Sequence, residues 1–129
     1  MKKIVFTFLA VLVGTNVLAV NDLYLKKGDT QPYYYCQITN ADDTAFDLTS
    51  YTAYFSMQSV SGTTPKIDEQ AMVITNATNG YCEYRWNAGN SETATAGTYY
   101  LEIILKATGQ QITFPTNFSS KIIIRDNFQ

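Results

Sequence analysis

The chain has 129 residues, which suffices for one domain but not for two. It carries nine basic and eleven acidic residues, a net charge of −2, and without Lys2 and Lys3 the balance is 7 − 11 = −4, which argues against a nucleic-acid partner. It contains no histidine, which excludes Ser-His and Cys-His catalytic pairs and histidine-bearing metal sites. The sequence also lacks a glycine-rich phosphate loop and a G-x-S-x-G elbow. We therefore expect no catalytic residue, no cofactor and no metal site.

The N-terminal segment has the pattern of a secretory signal peptide. A short basic start, Met1-Lys2-Lys3, precedes an apolar run over residues 4–14 that is too short to span a membrane. Small or aliphatic residues then precede a cleavage site after Ala19. The alternative is an uncleaved apolar arm that packs against a neighbouring subunit. Residues 1–19 are thus set apart from a domain over residues 20–129, which has no stretch able to anchor it in a membrane.

Apolar and polar residues alternate along most of that domain, which predicts half-buried strands. Turn clusters rich in Asn, Asp and Gly separate them. In chain order, the predicted strands are 23–25 (an edge strand), 33–38, 51–60, 71–74, 80–86, 99–105, 111–115 and 121–125. Seven or eight short strands of this kind predict an all-β protein with two packed sheets.

The two cysteines, Cys36 and Cys82, both fall on inward-facing positions of predicted strands. In an exported chain an even number of cysteines favours a disulfide, so we expect a buried bridge between them if the chain is exported. The alternative is two separate buried thiols that act as small apolar side chains.

Two aromatic residues of the 80–105 region have predicted structural roles. Trp86 ends an inward-facing row with Cys82 and Tyr84, which favours a core anchor over a ring lining a ligand groove. Tyr99 follows Gly97 at the start of a strand, and this spacing is typical of a tyrosine corner, whose hydroxyl bonds to nearby backbone.

The chain has ten tyrosines, and strand propensity alone accounts for many of them as core and strand filler. Exposed tyrosine rings also serve as contact surface in β-domains. Alternation predicts outward rings at Tyr33, Tyr35, Tyr54 and Tyr100, and we take these four as the candidate contact surface.

The acidic residues show no obvious catalytic pair in the sequence. Asp42, Asp43 and Asp47 carry the hard oxygen ligands that calcium prefers, but an ordinary acidic turn explains them as well. An enzyme would require a carboxylate pair that is assembled only by the fold.

Several sequence blocks together resemble a domain of tailed phages. They are Phe46-Asp47-Leu48-Thr49, Ala53-x-Phe55-x-Met57, Gly80-x-Cys82-x-Tyr84-x-Trp86-x-Ala88-Gly89-Asn90, Ala96-Gly97-Thr98-Tyr99 and Thr113-Phe114-Pro115. In this order and spacing they are similar to the immunoglobulin-like N-terminal domain of baseplate upper proteins and related virion proteins. Asn90, Ser50 and Cys82 stand where that family usually has Asp, Gly and Val.

The resemblance implies an immunoglobulin-like antiparallel β-sandwich of about seven strands, without catalysis or cofactor. It further implies a structural or attachment module located in a virion, where it contacts other virion proteins, copies of itself or a host-surface ligand. The alternative is a secreted or periplasmic bacterial immunoglobulin-like domain, released by cleavage after Ala19, that binds surface or carbohydrate ligands.

Overall fold

The structure is a computed structural model that describes residues 2–5, 22–40, 42–87, 89, 91–115 and 121–126. The described residues form ten β-strands: β1 (Lys2–Val5), β2 (Leu23–Lys26), β3 (Tyr34–Asn40), β4 (Thr52–Ser59), β5 (Pro65–Ala71), β6 (Val73–Asn76), β7 (Tyr81–Tyr84), β8 (Gly97–Ala107), β9 (Gln110–Pro115) and β10 (Ile122–Arg125). The predicted cleavage site after Ala19 lies outside the described residues, so signal cleavage stays a prediction.

The strands form two sheets. The four-stranded sheet has the order β1-β3-β7-β6, and the six-stranded sheet has the order β2-β10-β8-β4-β5, with β9 also paired to β8. The first order corresponds to strands A, B, E and D of an immunoglobulin domain, and β10-β8-β4-β5 corresponds to G, F, C and C′. The predicted immunoglobulin-like β-sandwich is therefore confirmed, with ten strands in the described part of the chain instead of about seven.

Most neighbouring strands run antiparallel, as predicted, but β2 runs parallel to β10 along the edge of the six-stranded sheet. Strand β8 is 11 residues long and serves two partners in turn. Its first residues pair with β10, and residues 102–107 pair with β9. The predicted strands 111–115 and 121–125 therefore lie one after the other along the same side of β8.

The predicted inward faces are confirmed in β3, β4 and β8. Alternate side chains of these strands are buried between the sheets, as half-buried strands require. They include Tyr34, Cys36, Ile38, Ala53, Phe55, Met57, Leu101, Ile103 and Leu105.

Phe55 joins the two sheets at the centre of the core. From β4 it stacks on Tyr84 of β7 with ring centroids 4.4 Å apart, and it meets the edge of Trp86 at 5.8 Å. Tyr34 of β3 contacts the same ring at 5.3 Å. Aromatic pairs in offset or edge-to-face arrangement add stabilisation beyond the area that they bury. The 80–86 segment is thus anchored against the opposite sheet.

One part of the predicted strand order was wrong. A single strand was expected at residues 71–74, but the chain forms β5 in the six-stranded sheet and then β6 in the four-stranded sheet. Met72 lies between them, buried, and its N–H donates to the carbonyl oxygen of Ala53 at 2.8 Å. Strand β5 escaped prediction because only Ile67 of its seven residues is buried, so it carries almost no apolar alternation.

Candidate interaction surfaces

The side chains of Asp42 and Asp47 form hydrogen bonds within turns. Asp42 accepts hydrogen bonds from the N–H and hydroxyl of Thr44, at 3.1 and 2.6 Å. Asp47 accepts from the hydroxyl and N–H of Thr49, and these bonds hold the pKa of the Asp47 carboxyl below its usual range. No group of three or more acidic, cysteine or histidine side chains able to hold a metal ion occurs among the described residues. Asp42 and Asp47 thus each stabilise a turn with their side chains.

The predicted disulfide is not formed in the structure. Cys36 of β3 lies directly opposite Cys82 of β7, and the two Sγ atoms are 3.2 Å apart, whereas a disulfide requires about 2.05 Å. The bridge of antibody domains joins strands B and F across the two sheets, but these cysteines lie on neighbouring strands of one sheet. Burial, and then the Cys82 thiol, raises the pKa of the Cys36 thiol well above its usual value. The residues are thus two adjacent thiols inside the core.

Trp86 is a core anchor, as predicted, and does not line a groove. Its side chain is only 6% exposed, and its indole N–H donates to the carbonyl oxygen of Pro32 at 2.8 Å. Tyr99 is buried, and its hydroxyl donates to the carbonyl oxygen of Thr95 at 2.8 Å. This is the predicted tyrosine corner, at the start of β8.

Glu92 is a structural residue that sequence reasoning missed. It is only 4% exposed, and its carboxyl group accepts from the Tyr84 hydroxyl at 2.8 Å and from the N–H of Asn87 at 2.7 Å. Burial, and then Glu92, raises the pKa of the Tyr84 hydroxyl far above its usual value. Glu92 therefore ties the β7–β8 connection to the core. No local signal distinguishes it from a solvated glutamate, because its partners come together only in the fold.

The structure divides the four predicted contact tyrosines between the two outer faces of the sandwich. Tyr33 and Tyr35 lie together at the four-stranded sheet, with ring centroids 6.5 Å apart. Tyr54 of β4 and Tyr100 of β8 lie on the six-stranded sheet. The register places Tyr54 opposite Ile104 and Tyr100 opposite Gln58, so these two rings are four residues apart along the strands, about 14 Å. The four tyrosines thus lie on two faces of the sandwich and do not form one surface.

Each of the two faces has one tyrosine ring with a cation over it. The guanidinium carbon of Arg85 lies 5.6 Å from the Tyr33 ring centre, and Arg85 also pairs with the buried Glu83. That ion pair raises the pKa of the Arg85 guanidinium. On the other face, the Lys106 ammonium lies 5.0 Å from the Tyr54 ring centre and pairs with Glu69 at 3.3 Å. Such contacts limit the rotamers of exposed long side chains and present rings in defined orientations.

Tyr24 has an exposed ring that was not predicted as contact surface. It is 50% exposed on the edge strand β2, and the guanidinium carbon of Arg125 lies 4.5 Å from its ring centre. The alternation Leu23-Tyr24-Leu25, with both leucines buried, was the signal that could have identified it. Tyrosine and arginine together are enriched in the parts of protein surfaces that bind other proteins.

No helix in the described part of the chain has the length and apolar character needed to cross a membrane.

No protein-family model matches the chain, and neither does any curated protein. Among solved structures, the N-terminal domain of phage TP901-1 ORF48 is similar, with a TM-score of 0.49 and 15% sequence identity. The similarity covers 81% of this chain and 85% of the phage domain.

Proposed function

We propose that the chain is a non-enzymatic structural or attachment module of a tailed-phage virion, acting through protein–protein contacts. The observation that carries this proposal is the set of tyrosine rings with cations over them, half-buried on both outer faces and exposed on the β2 edge. Tyrosine offers a large, amphipathic contact area with few rotatable bonds, and arginine beside it is typical of binding hot spots.

The sequence blocks that resemble the phage family also support this function, because their residues form the scaffold of the domain. Tyr84, Trp86 and Tyr99 are all buried, and their polar atoms bond to groups within the domain. Because these motif residues hold the sandwich together, the working surface lies on the outward tyrosines. The partners are other virion proteins, copies of the same chain or a ligand on the host surface.

The N-terminus of the protein in its native source tests the proposed location. We expect purified particles to contain the chain, with Met1 or its processed neighbour still present when the N-terminus is mapped by mass spectrometry. A chain that begins at Val20 and occurs only in the periplasm or medium would contradict the virion role. It would instead favour a secreted domain that binds surface or carbohydrate ligands.

Substitution of exposed tyrosines tests the contact surface itself. Tyr24→Ala and Tyr35→Ala should each lower incorporation into particles by about 10-fold or more if the ring is a hot spot. Thr113→Ala is the matched control, because Thr113 is also an exposed strand residue but has no ring. Each variant should keep the far-UV spectrum and unfolding midpoint of the parent. Normal incorporation of both tyrosine variants would show that these rings are not the contact.

A further inference from the structure

Strand β1 is held in the four-stranded sheet through one neighbour. It pairs antiparallel with β3, from Lys2 opposite Asn40 to Val5 opposite Gln37. It stands first in the strand order, so among the described strands β3 is its partner in the sheet. The place of β1 in the fold therefore depends on the edge that β3 presents.

The edge of β3 that faces β1 has backbone N–H and C=O groups that need hydrogen-bond partners on a neighbouring strand. The N–H of Ile38 donates to the carbonyl oxygen of Gly80 at 2.8 Å, which directs this residue toward β7. Because successive residues of a strand point their backbone groups to opposite sides, Gln37 and Thr39 direct theirs toward β1. Without β1, β3 would present unpaired donors and acceptors, the feature that draws strands from other chains. The β3 edge is thus a strand-acceptor edge.

The chain between β1 and β2 is long enough to reach beyond its own domain. Residues 6–22 separate the two strands, and 17 residues can span up to about 60 Å when extended. A compact domain of this size has a radius of gyration of only about 13 Å. The sequence length therefore allows β1 to pair with β3 of the same copy or with β3 of an adjacent copy.

We propose that in the assembled state the β3 edge accepts β1 from a second copy of this chain, so that copies are joined by exchanged N-terminal strands. The register would be the same as within one copy, so the exchange loses no β1–β3 contact. The high local concentration of copies in an assembly allows a neighbour's strand to compete with the tethered one. This inference rests on the proposed assembly function for its setting.

Paired cysteine substitutions in the full chain test the exchange. Lys3 lies directly opposite Thr39, within the distance that a disulfide spans. Copies carrying Lys3→Cys are mixed with copies carrying Thr39→Cys, briefly unfolded, refolded together and oxidised. We expect a covalent dimer whose linked peptides contain positions 3 and 39, in an amount that rises with protein concentration. A mixture of Lys3→Cys with Thr52→Cys, an exposed position on the other sheet, is the matched control and should give about 10-fold less.

The doubly substituted chain, with both Lys3→Cys and Thr39→Cys, completes the test. If it links only within single chains at every concentration, and the mixture gives no more dimer than the control, then β1 stays with its own domain and the proposal is wrong. If it does not link at all, β1 does not occupy the β3 edge and the proposal is equally wrong.

The two tests can fail separately. Strand exchange in a protein that keeps residues 2–5 but is absent from virions would leave this inference standing and overturn the virion role, whereas a chain that begins at Val20 lacks β1 and would overturn both. A virion protein whose copies do not exchange β1 would overturn this inference and leave the virion role standing.

Discussion

Gly80 shows how a single position depends on the absence of a side chain. It lies in a left-handed conformation, with φ of +77°, at the turn before β7. A Cβ atom there would lie 2.3 Å from the carbonyl oxygen of Ile38 and 2.9 Å from that of Phe46. Both obstacles are backbone atoms, so relief would require the β3–β7 pairing itself to move.

We therefore predict that Gly80→Ala lowers the free energy of unfolding by about 3 kcal/mol or more, since it combines backbone strain with a clash. Gly109→Ala is the control, because Gly109 has a similar φ of +73° but nothing within 4 Å of the added Cβ. In that variant the free energy of unfolding should fall only by the cost of placing alanine in the left-handed conformation, about 1–2 kcal/mol. Urea unfolding of both variants measures the difference, and equal losses would rule out the clash.

Cys36 provides a prediction on pH. Burial raises the pKa of its thiol in the folded protein, so the unfolded chain loses the proton first as pH rises. The stability that this group contributes is complete below the unfolded thiol pKa, about 8.5, and is lost progressively above it. We expect the free energy of unfolding to fall between pH 8.5 and 10, with Cys36 contributing up to about 1.4 kcal/mol per pH unit. Cys36→Ala should flatten this slope even if it is less stable at pH 7, and an unchanged slope would contradict the assignment.

At the scale of elements, the β7–β8 connection is held by one buried carboxyl group. Glu92 accepts hydrogen bonds from the Tyr84 hydroxyl on β7 and from the N–H of Asn87 in the connection. We predict that Tyr84→Phe lowers the free energy of unfolding by about 1.5–3 kcal/mol, because a buried hydrogen bond to an ionisable group is lost. Tyr51→Phe is the control, since its hydroxyl bonds to Gln110 at an exposed site and should cost less than about 0.5 kcal/mol. If chemical unfolding shows similar losses of unfolding free energy for both variants, the buried Tyr84–Glu92 hydrogen bond stabilises the fold no more than an exposed one.

The strands also show which elements a sequence can reveal. Those with strict alternation, such as β3 and β4, were predicted together with their buried faces because a half-buried strand imposes that pattern. Strand β5 was missed because an edge strand with one buried residue carries little of it. The tyrosine corner was predicted because its contact is local, four residues from donor to acceptor. The contacts of Glu92 and the division of the tyrosines between two faces depend on pairings between distant segments, so no local pattern encodes them.

At the scale of the whole molecule, the two sheets share one aromatic core. Phe55 of the six-stranded sheet stacks on Tyr84 of the four-stranded sheet and meets Trp86, the single tryptophan of the chain. We predict that the sheets unfold together, so that Trp86 fluorescence and the far-UV signal change at the same denaturant concentration. Phe55→Ala should lower the free energy of unfolding by about 3–5 kcal/mol. Two separated transitions in the parent protein would show that the sheets are independent.

The sequence by itself determined the all-β class, the two-sheet architecture and the buried faces of the main strands, because alternation and turn residues are local signals of half-buried strands. It also identified Trp86 and Tyr99 as scaffold. Only the tertiary structure decided that Cys36 and Cys82 are neighbouring thiols of one sheet and that β1 pairs with β3. The same holds for the four outward tyrosines, which lie on different faces. These features follow from strand order, and strand order depends on contacts between segments far apart in the chain.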